Sequence, residues 1–468
     1  MLAGTMQPMQ IYNTLERAMV PFVPRDEGVV TIYVCGPTVQ SEAHLGHGRS
    51  AVSFDVLRRY LMWKGNDVRF VRNVTDIDDK IIDRAIERGI STAEVAAEAF
   101  ASFTDAYDKL GNLRPTIEPK ATDHIAEMVA VIETLIARGH AYESGGDVYF
   151  SVRSFDPYGK LSRHDLDDLR SGERVEPDER KRDALDFAMW KAAKPGEPSW
   201  ESPWGMGLPG WHIECSAMAE VYLGEGFDIH SGGSDLIFPH HENEIAQSEA
   251  ASGGTFARYW MHNGMLNLGG EKMAKSTGHV VTLLESLQRW DPMAVRLFYL
   301  RTHYRKPLEF SVEALDDAEA SLGRLRTFRR RTQGSEGDPD SEVLDSFASH
   351  MDDDLDVAGA LAVLFDAVRR GNGLLDGGDE VPELAVAFDQ IVDVLGIDVN
   401  PGVASDVDLT ELVAELGLEV SSIEELLTLR GAARADRDFE LSDAIRDGLS
   451  SLGITIEDTP DGARWHRD

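Results

Sequence analysis

Apolar positions near the start of the chain follow two different rhythms. Residues 29–35, Val-Val-Thr-Ile-Tyr-Val-Cys, form an unbroken β-forming run ended by Gly36-Pro37, which predicts a buried strand. After a turn carrying His44-Leu45-Gly46-His47-Gly48-Arg49-Ser50, the period changes. Val52, Val56, Tyr60 and Leu61 recur at helical spacing, and Gly65 closes the predicted helix. An apolar run returns over 68–74 as a second strand, and Asp76-Ile77-Asp78-Asp79 supplies acidic residues that favour the start of another helix. Strand, glycine-containing turn, helix, strand is a βαβ unit, the building block of a doubly wound parallel sheet.

Residues 121–195 interrupt this alternation and read as an inserted module. It holds a helix over 125–138, a strand over 147–152, and a charged segment punctuated by Pro and Gly through Glu179-Arg180-Lys181-Arg182. Apolar and β-forming segments resume near Gly210 and continue to Met265. From about 312 the chain turns helical and acidic, as in Met351-Asp352-Asp353-Asp354-Leu355-Asp356. A Gly-, Pro- and Asp-rich stretch at 398–408 marks a linker; beyond it two further helices and a short strand at Ile454-Thr455-Ile456 are expected. No internal repeat or low-complexity tract is present. The fold class is α/β: a doubly wound, Rossmann-like domain (1–120 and 196–265) with the inserted module 121–195. A connecting region (266–311), a helical bundle (312–397) and a small C-terminal α+β domain (408–468) follow.

Composition bounds the class. The 468 residues are 42% hydrophobic and 27% charged, ordinary for a globular protein of two to four domains. No run approaches the ~18 apolar residues of a membrane-spanning helix. Residues 1–8 lack the basic flank and apolar core of a secretory signal, so a cytoplasmic location is expected. Charge is the odd feature: Lys+Arg 46 against Asp+Glu 82 gives −36, with Arg dominating the basic side. Such acidity argues against a polyanionic partner, because phosphate binding relies on Lys and Arg displacing counterions. Net charge, however, governs solubility and long-range steering, and leaves open what a local groove binds. The two cysteines, Cys35 and Cys215, lie far apart and are not expected to form a disulfide in a reducing compartment. Met alone, such a pair reads as two inert buried thiols.

Three constellations change that reading. His44-Leu45-Gly46-His47 sits at a strand-to-helix turn, where free backbone N–H groups and the positive end of the helix dipole suit a phosphate chain. Two imidazoles there can donate to oxygens that gain charge in a transition state; equally, the pair could be surface histidines near a turn. Gly269-Gly270-Glu271-Lys272-Met273-Ala274-Lys275-Ser276 places two lysines after a glycine pair, as in a loop that closes over a polyphosphate or in a plain solvated loop. Finally, Trp211-His212-Ile213-Glu214-Cys215 precedes Phe238-Pro239-His240-His241-Glu242-Asn243-Glu244. His240 and Glu244 share one face of a helix, and with Cys35 and Cys215 they make a mixed sulfur, nitrogen and oxygen set that suits tetrahedral Zn²⁺. His241 and Glu242 step about 100° per residue away from that face. A buried thiol pair beside a helix of solvated acids is the alternative.

An HxGH turn with a distal KMxKS loop resembles the class I aminoacyl-tRNA synthetases, in which these two loops grip ATP from opposite sides. The Cys-Gly-Pro-Thr-Val run at 35–39, Asn73-Val74-Thr75-Asp76-Ile77-Asp78-Asp79-Lys80, Trp-His-Ile-Glu-Cys and Phe-Pro-His-His-Glu-Asn-Glu narrow the match. In this order they resemble the cysteinyl-tRNA synthetase family over nearly the whole chain, including the 434–465 tail. The resemblance implies Zn²⁺ on Cys35, Cys215, His240 and Glu244. It implies ATP, with Mg²⁺, on His44, His47, Lys272 and Lys275. Cys35, Thr38, Thr75, Trp211 and Asp235 would line the pocket for cysteine and its adenylate. It further implies a catalytic role for the Rossmann-like domain and a KMSKS-loop and stem-contact role for 266–311. The bundle would bind tRNA and 408–468 would read the anticodon, in an enzyme expected to be monomeric.

Physics favours a metal for this task. Pockets reject near-isosteres poorly, by ~10² or less, and cysteine differs from serine by one chalcogen atom. A Zn²⁺-bound thiol is deprotonated and sits at about 2.3 Å, whereas a hydroxyl is a harder and far less acidic ligand. Ala274 stands where the family usually has serine, Gly278-His279 replaces the commoner Gly-Asn, and Ser231 and Ser234 sit in a variable glycine-rich turn. Two rivals share the catalytic motifs. A cysteine:amino-sugar ligase of mycothiol biosynthesis would explain the acidity but has no use for the tail, where Arg430, Arg434, Arg437, Arg446 and Arg464 gather positive charge. A non-catalytic regulator would not need both histidines and both lysines.

Overall fold

The computed structural model describes residues 8–165, 180–268, 271–272, 282–400 and most of 409–467. The chain divides into two units, Met1–Ile397 and Asp398–Asp468. The fold is the expected α/β architecture. At the centre of the first unit stand four parallel strands, β1 (Val29–Val34), β2 (Asp67–Arg72), β3 (Phe227–Gly233) and β4 (Ala257–Asn263), in spatial order β4-β3-β1-β2. Helix α1 (Leu45–Trp63) carries the chain from β1 to β2, and α3 (Glu242–Ser252) carries it from β3 to β4; α2 (Trp211–Leu223) leads into β3. The continuous apolar run of β1 reflects cover on both faces, with Val30, Ile32 and Tyr33 all fully buried.

This order decides where a ligand fits. The two βαβ halves run outward in opposite directions from the adjacent pair β1 and β3, so a crevice opens at the carboxyl ends of those two strands. Cys35 is the first residue past β1, and its amide donates to Ser231 O of β3 at 3.0 Å.

Between β2 and β3 the chain first forms the helices Asp79–Arg88 and Thr92–Lys109; the stretch expected as an insertion follows, with a helix at Ile125–Ala137 and an antiparallel sheet of Ala141–Ser144, Asp147–Phe150, Phe187–Ala192 and Gly207–Pro209, neighbours in that order. The second of these strands stops at Phe150, short of the predicted 152, because Val152 opens a 3₁₀ turn with its amide on Asp186 Oδ1. Its fourth strand lies beyond 195, so the sheet outruns the expected module.

After β4, helices Leu283–Arg289 and Pro292–Leu300 pack on α1, and Val312–Arg331, Ser341–Met351, Val357–Gly377 and Pro382–Leu395 form the bundle. Buried arginines fasten these layers. Arg49 of α1 donates to the carbonyls of Met265, Tyr304 and Lys306. Arg296 pairs with Asp55 of α1 at 2.5 Å and donates to Leu110 O, Asn112 Oδ1 and Leu395 O.

The second unit contains Thr410–Leu416, Ile423–Ala435, Phe439–Ser451 and a hairpin of Ile454–Thr459 with Gly462–Arg467, around Leu412, Leu426, Ile445, Leu449 and Ile454. Two helices and one strand were expected here. The extra helix is a segment of only seven residues, and the second strand, Gly-Ala-Arg-Trp-His-Arg, carries just two alternating apolar positions, Ala463 and Trp465, too brief a pattern to announce a strand. No described helix is long and apolar enough to cross a membrane.

Candidate active site

At the mouth of the crevice the chain brings together four donors from four segments. Cys35 follows β1, Cys215 lies on α2, His240 belongs to the wide turn Ile237–His241, and Glu244 lies in the first turn of α3. Their ligand atoms all fall within 4.8 Å of one another. The two Sγ atoms are 3.6 Å apart, Cys35 Sγ is 3.4 Å from Glu244 Oε1, and His240 Nε2 is 3.1 Å from the same oxygen. Tetrahedral bonds of ~2.3 Å would set two sulfurs about 3.8 Å apart, so the spacing suits a shared zinc.

Electrostatics say the same. Burial, then the Cys215 hydrogen bond and nearby charge, push the Cys35 thiol well up; burial also raises Cys215. Burial, with His212 and His230 close by, drives His240 well down, so the imidazole is neutral and available as a ligand. Thiols that resist ionisation beside a neutral imidazole are the surroundings in which a cation offsets the penalty of a buried thiolate.

A second layer orients these donors. Glu244 Oε2 accepts from His230 Nε2 at 2.8 Å, which leaves Oε1 toward the sulfurs. His240 Nδ1 meets His212 Nδ1 at 2.8 Å, and the Trp211 indole stacks on the His240 ring at 4.1 Å. Burial and Lys191 hold His212 down at about 3. Fixing the far nitrogen of a ligating histidine is what outer partners do in metal sites. His241, expected to point away, comes within 3.9 Å of Glu244 Oε1, because the two are three residues apart with helical backbone between them, and positions i and i+3 are neighbours on a helix. It bonds His262 at 2.8 Å and, with Cys35, His230 and Glu244, makes a second set able to hold a metal. The first set has the stronger claim for zinc through its two sulfurs. Glu242 is structural: it accepts from the amides of Gly159, Leu161 and Ser162 in the insertion.

Next to this cluster, Thr38 bridges Thr75, and Thr75 Oγ1 donates to the buried Glu214 carboxyl at 2.8 Å. Asp235 is exposed on the Ser234–Leu236 turn after β3. Sequence reasoning gave His212 and Glu214 no role beyond membership of the Trp211–Cys215 motif, and did not point to His230 or His262, for which the signal available was a concentration of His and Glu around 212–262.

On the other side of the crevice, the first turn of α1 is capped by its own histidines. His44 Nδ1 accepts from the Gly46 amide at 3.1 Å, and His47 Nδ1 accepts from the His44 amide at 3.2 Å; the rings stack at 3.7 Å. Accepting at Nδ1 puts the proton of each neutral ring on Nε2, the donor a phosphate oxygen requires. Gly48 allows the approach of Tyr299, whose hydroxyl would lie 2.7 Å from an added Cβ and which bonds Leu45 O. Lys272 ends a two-residue strand with its side chain outside the described residues, and Lys275 lies outside them entirely. The chain resumes at Thr282, which bridges His44 directly, while Leu283 donates to Ala43 O at 2.8 Å.

Comparison with known proteins gives the family and the fold. Residues 21–320 match the family described as tRNA synthetases class I (C) catalytic domain, and 346–400 match the DALR domain. A cysteine–tRNA ligase of Pelobacter propionicus is 46% identical, the match covering 98% of this chain and 99% of that protein. One from Desulforudis audaxviator is 48% identical over 98% and 100%. Among solved structures, Mycobacterium tuberculosis methionyl-tRNA synthetase bound by methionyl-adenylate is similar in fold, with a TM-score of 0.57 at 15% identity, covering 79% of this chain and 90% of that one.

Proposed function

The chain belongs to the cysteine–tRNA ligases, class I aminoacyl-tRNA synthetases, and from that premise we propose how its residues divide the reaction. The enzyme activates L-cysteine with ATP to cysteinyl-adenylate, releasing pyrophosphate, and transfers cysteine to the 3′ end of tRNA(Cys). An amino-sugar ligase is not favoured, since relatives matched along 98% of the chain are cysteine–tRNA ligases.

The observation that carries the assignment of residues is the four-donor cluster at the β1/β3 crevice. Cys35, Cys215, His240 and Glu244 would hold Zn²⁺, which when bound supplies a soft Lewis acid that prefers a substrate thiolate to a hydroxyl. Trp211, Thr38, Thr75 and Asp235 would border the amino acid. His44 and His47, whose Nδ1 atoms cap the turn, would donate from Nε2 to the α-phosphate as charge builds there, while Lys272 and Lys275 hold the β and γ groups with Mg²⁺. Little covalent work falls to the protein; holding the cysteine carboxylate in line with the α-phosphate carries the rate. ATP and tRNA as substrates support a cytoplasmic location.

The purified protein should catalyse cysteine-dependent exchange of pyrophosphate into ATP and charge tRNA(Cys), and fail with serine. Exchange with serine at a comparable rate would overturn the metal-based selection. The domains 312–397 and 408–468 would serve the tRNA. Removing residues beyond about 400 should therefore leave adenylate formation intact and depress transfer to tRNA, read as charging rate against exchange rate; undiminished charging would remove the tail from that role.

A further inference from the structure

Between the segments that carry the two sulfurs runs a buried path of hydrogen bonds, in which the reaction as described gives Asn73 and Glu214 no role. Gly36, beside Cys35, donates its amide to Asn73 Oδ1 at 2.8 Å; Asn73 Nδ2 donates to Thr75 Oγ1 at 3.3 Å; Thr75 Oγ1 donates to Glu214 Oε2 at 2.8 Å. Glu214 precedes Cys215 on α2. Asn73, Thr75 and Glu214 are each no more than 1% exposed. The path begins beside one thiol and ends beside the other. At its near end the loop has a single seat. Thr75 donates to Pro37 O at 3.2 Å and Val39 to Thr75 O at 3.1 Å, and a Cβ on Gly36 would fall 1.6 Å from Asn73 O. At its far end, α2 reaches the same segment through the Glu214 carboxyl.

We propose that Glu214 is a positioning residue: through Thr75 and Asn73 it holds the helix bearing Cys215 against the loop bearing Cys35, and so sets the sulfur spacing for the metal. The inference rests on the zinc reading above. Full-length apoprotein titrated with Co²⁺, in the absence of cysteine, tests it through thiolate-to-cobalt absorption bands and through competition with a chromophoric chelator. Glu214→Leu should weaken metal affinity ~10–100-fold and displace the bands, as loss of an outer partner does. Glu214→Gln, whose amide oxygen still accepts from Thr75, should stay near wild type. Thr75→Val, close in shape, should reproduce the loss, and it decides the matter if Glu214→Leu does not fold. Wild-type affinity and bands in folded Glu214→Leu or Thr75→Val would overturn the inference, as would a Gln variant as weak as the Leu variant. Wild-type protein that takes up no cobalt would overturn the zinc reading and this inference with it; uptake by wild type beside unaffected variants overturns the inference alone.

Discussion

Cys215→Ser is expected to empty the metal site and to abolish cysteine activation, with an affinity loss larger than the ~10–100-fold that follows removal of an outer partner. The substitution keeps the size of the side chain and changes one donor atom. Cys215 is buried, 3.6 Å from Cys35 Sγ, in surroundings that already resist charge. A hydroxyl there ionises far less readily than a thiol and is a poor partner for a soft cation. Elemental analysis of the purified variant and pyrophosphate exchange at saturating cysteine check both halves. Full metal content together with undiminished activation would remove Cys215 from the ligand set.

The second large effect concerns stability. Arg296→Met should lower the unfolding free energy by about 3–5 kcal/mol, because it leaves Asp55 charged and buried without its main partner. Arg296 is fully buried, and its guanidinium joins α1, the 110–112 loop and the end of Pro382–Leu395. The double variant Asp55→Leu/Arg296→Met should be less damaged than the single one, since no orphan charge remains. Burial pulls the Asp55 carboxyl upward, but the Arg296 and Arg59 charges, with bonds from Arg296 and the Leu113 amide, hold it below the usual carboxylate range. A depressed carboxylate contributes stability that is present above its unfolded pKa of ~3.9 and disappears as pH falls through its folded value. The gap between wild type and Arg296→Met should therefore be widest near neutrality and close in acid below about pH 4. Urea unfolding at both pH values measures it; an equal gap at both would show that the ion pair is not its source.

Much of the architecture could be read from local pattern. The change of period from 29–35 to the 52–61 segment marks β1 and α1, and the turn between them caps the helix with the two histidines singled out for chemistry. His240 and Glu244 were paired by helical spacing, and they do meet, although His240 lies in the irregular turn before α3. What escaped was set by tertiary packing. His230 is one polar residue in a seven-residue buried strand, and nothing nearby in sequence announces that it will face Glu244 across the β3–α3 connection. Glu214 reads as one more helical acid until Thr75, remote in sequence, is folded against it. His241 escaped for another reason: it was weighed against His240, one residue away, whereas its spacing of three from Glu244 already puts it on a neighbouring position of the same helix. The short strand Gly462–Arg467 alternates only at Ala463 and Trp465, too little to read by itself, and it pairs along the edge that Ile454–Thr459 offers.

Both donor sets draw on Cys35 and Glu244. Overlap of this kind ties the two sets together: an ion seated on one withdraws half of the other, so among the described residues the two sets seat a single ion between them. A competing cation must then displace the resident ion outright, since the second set keeps only two of its four donors while the first is filled.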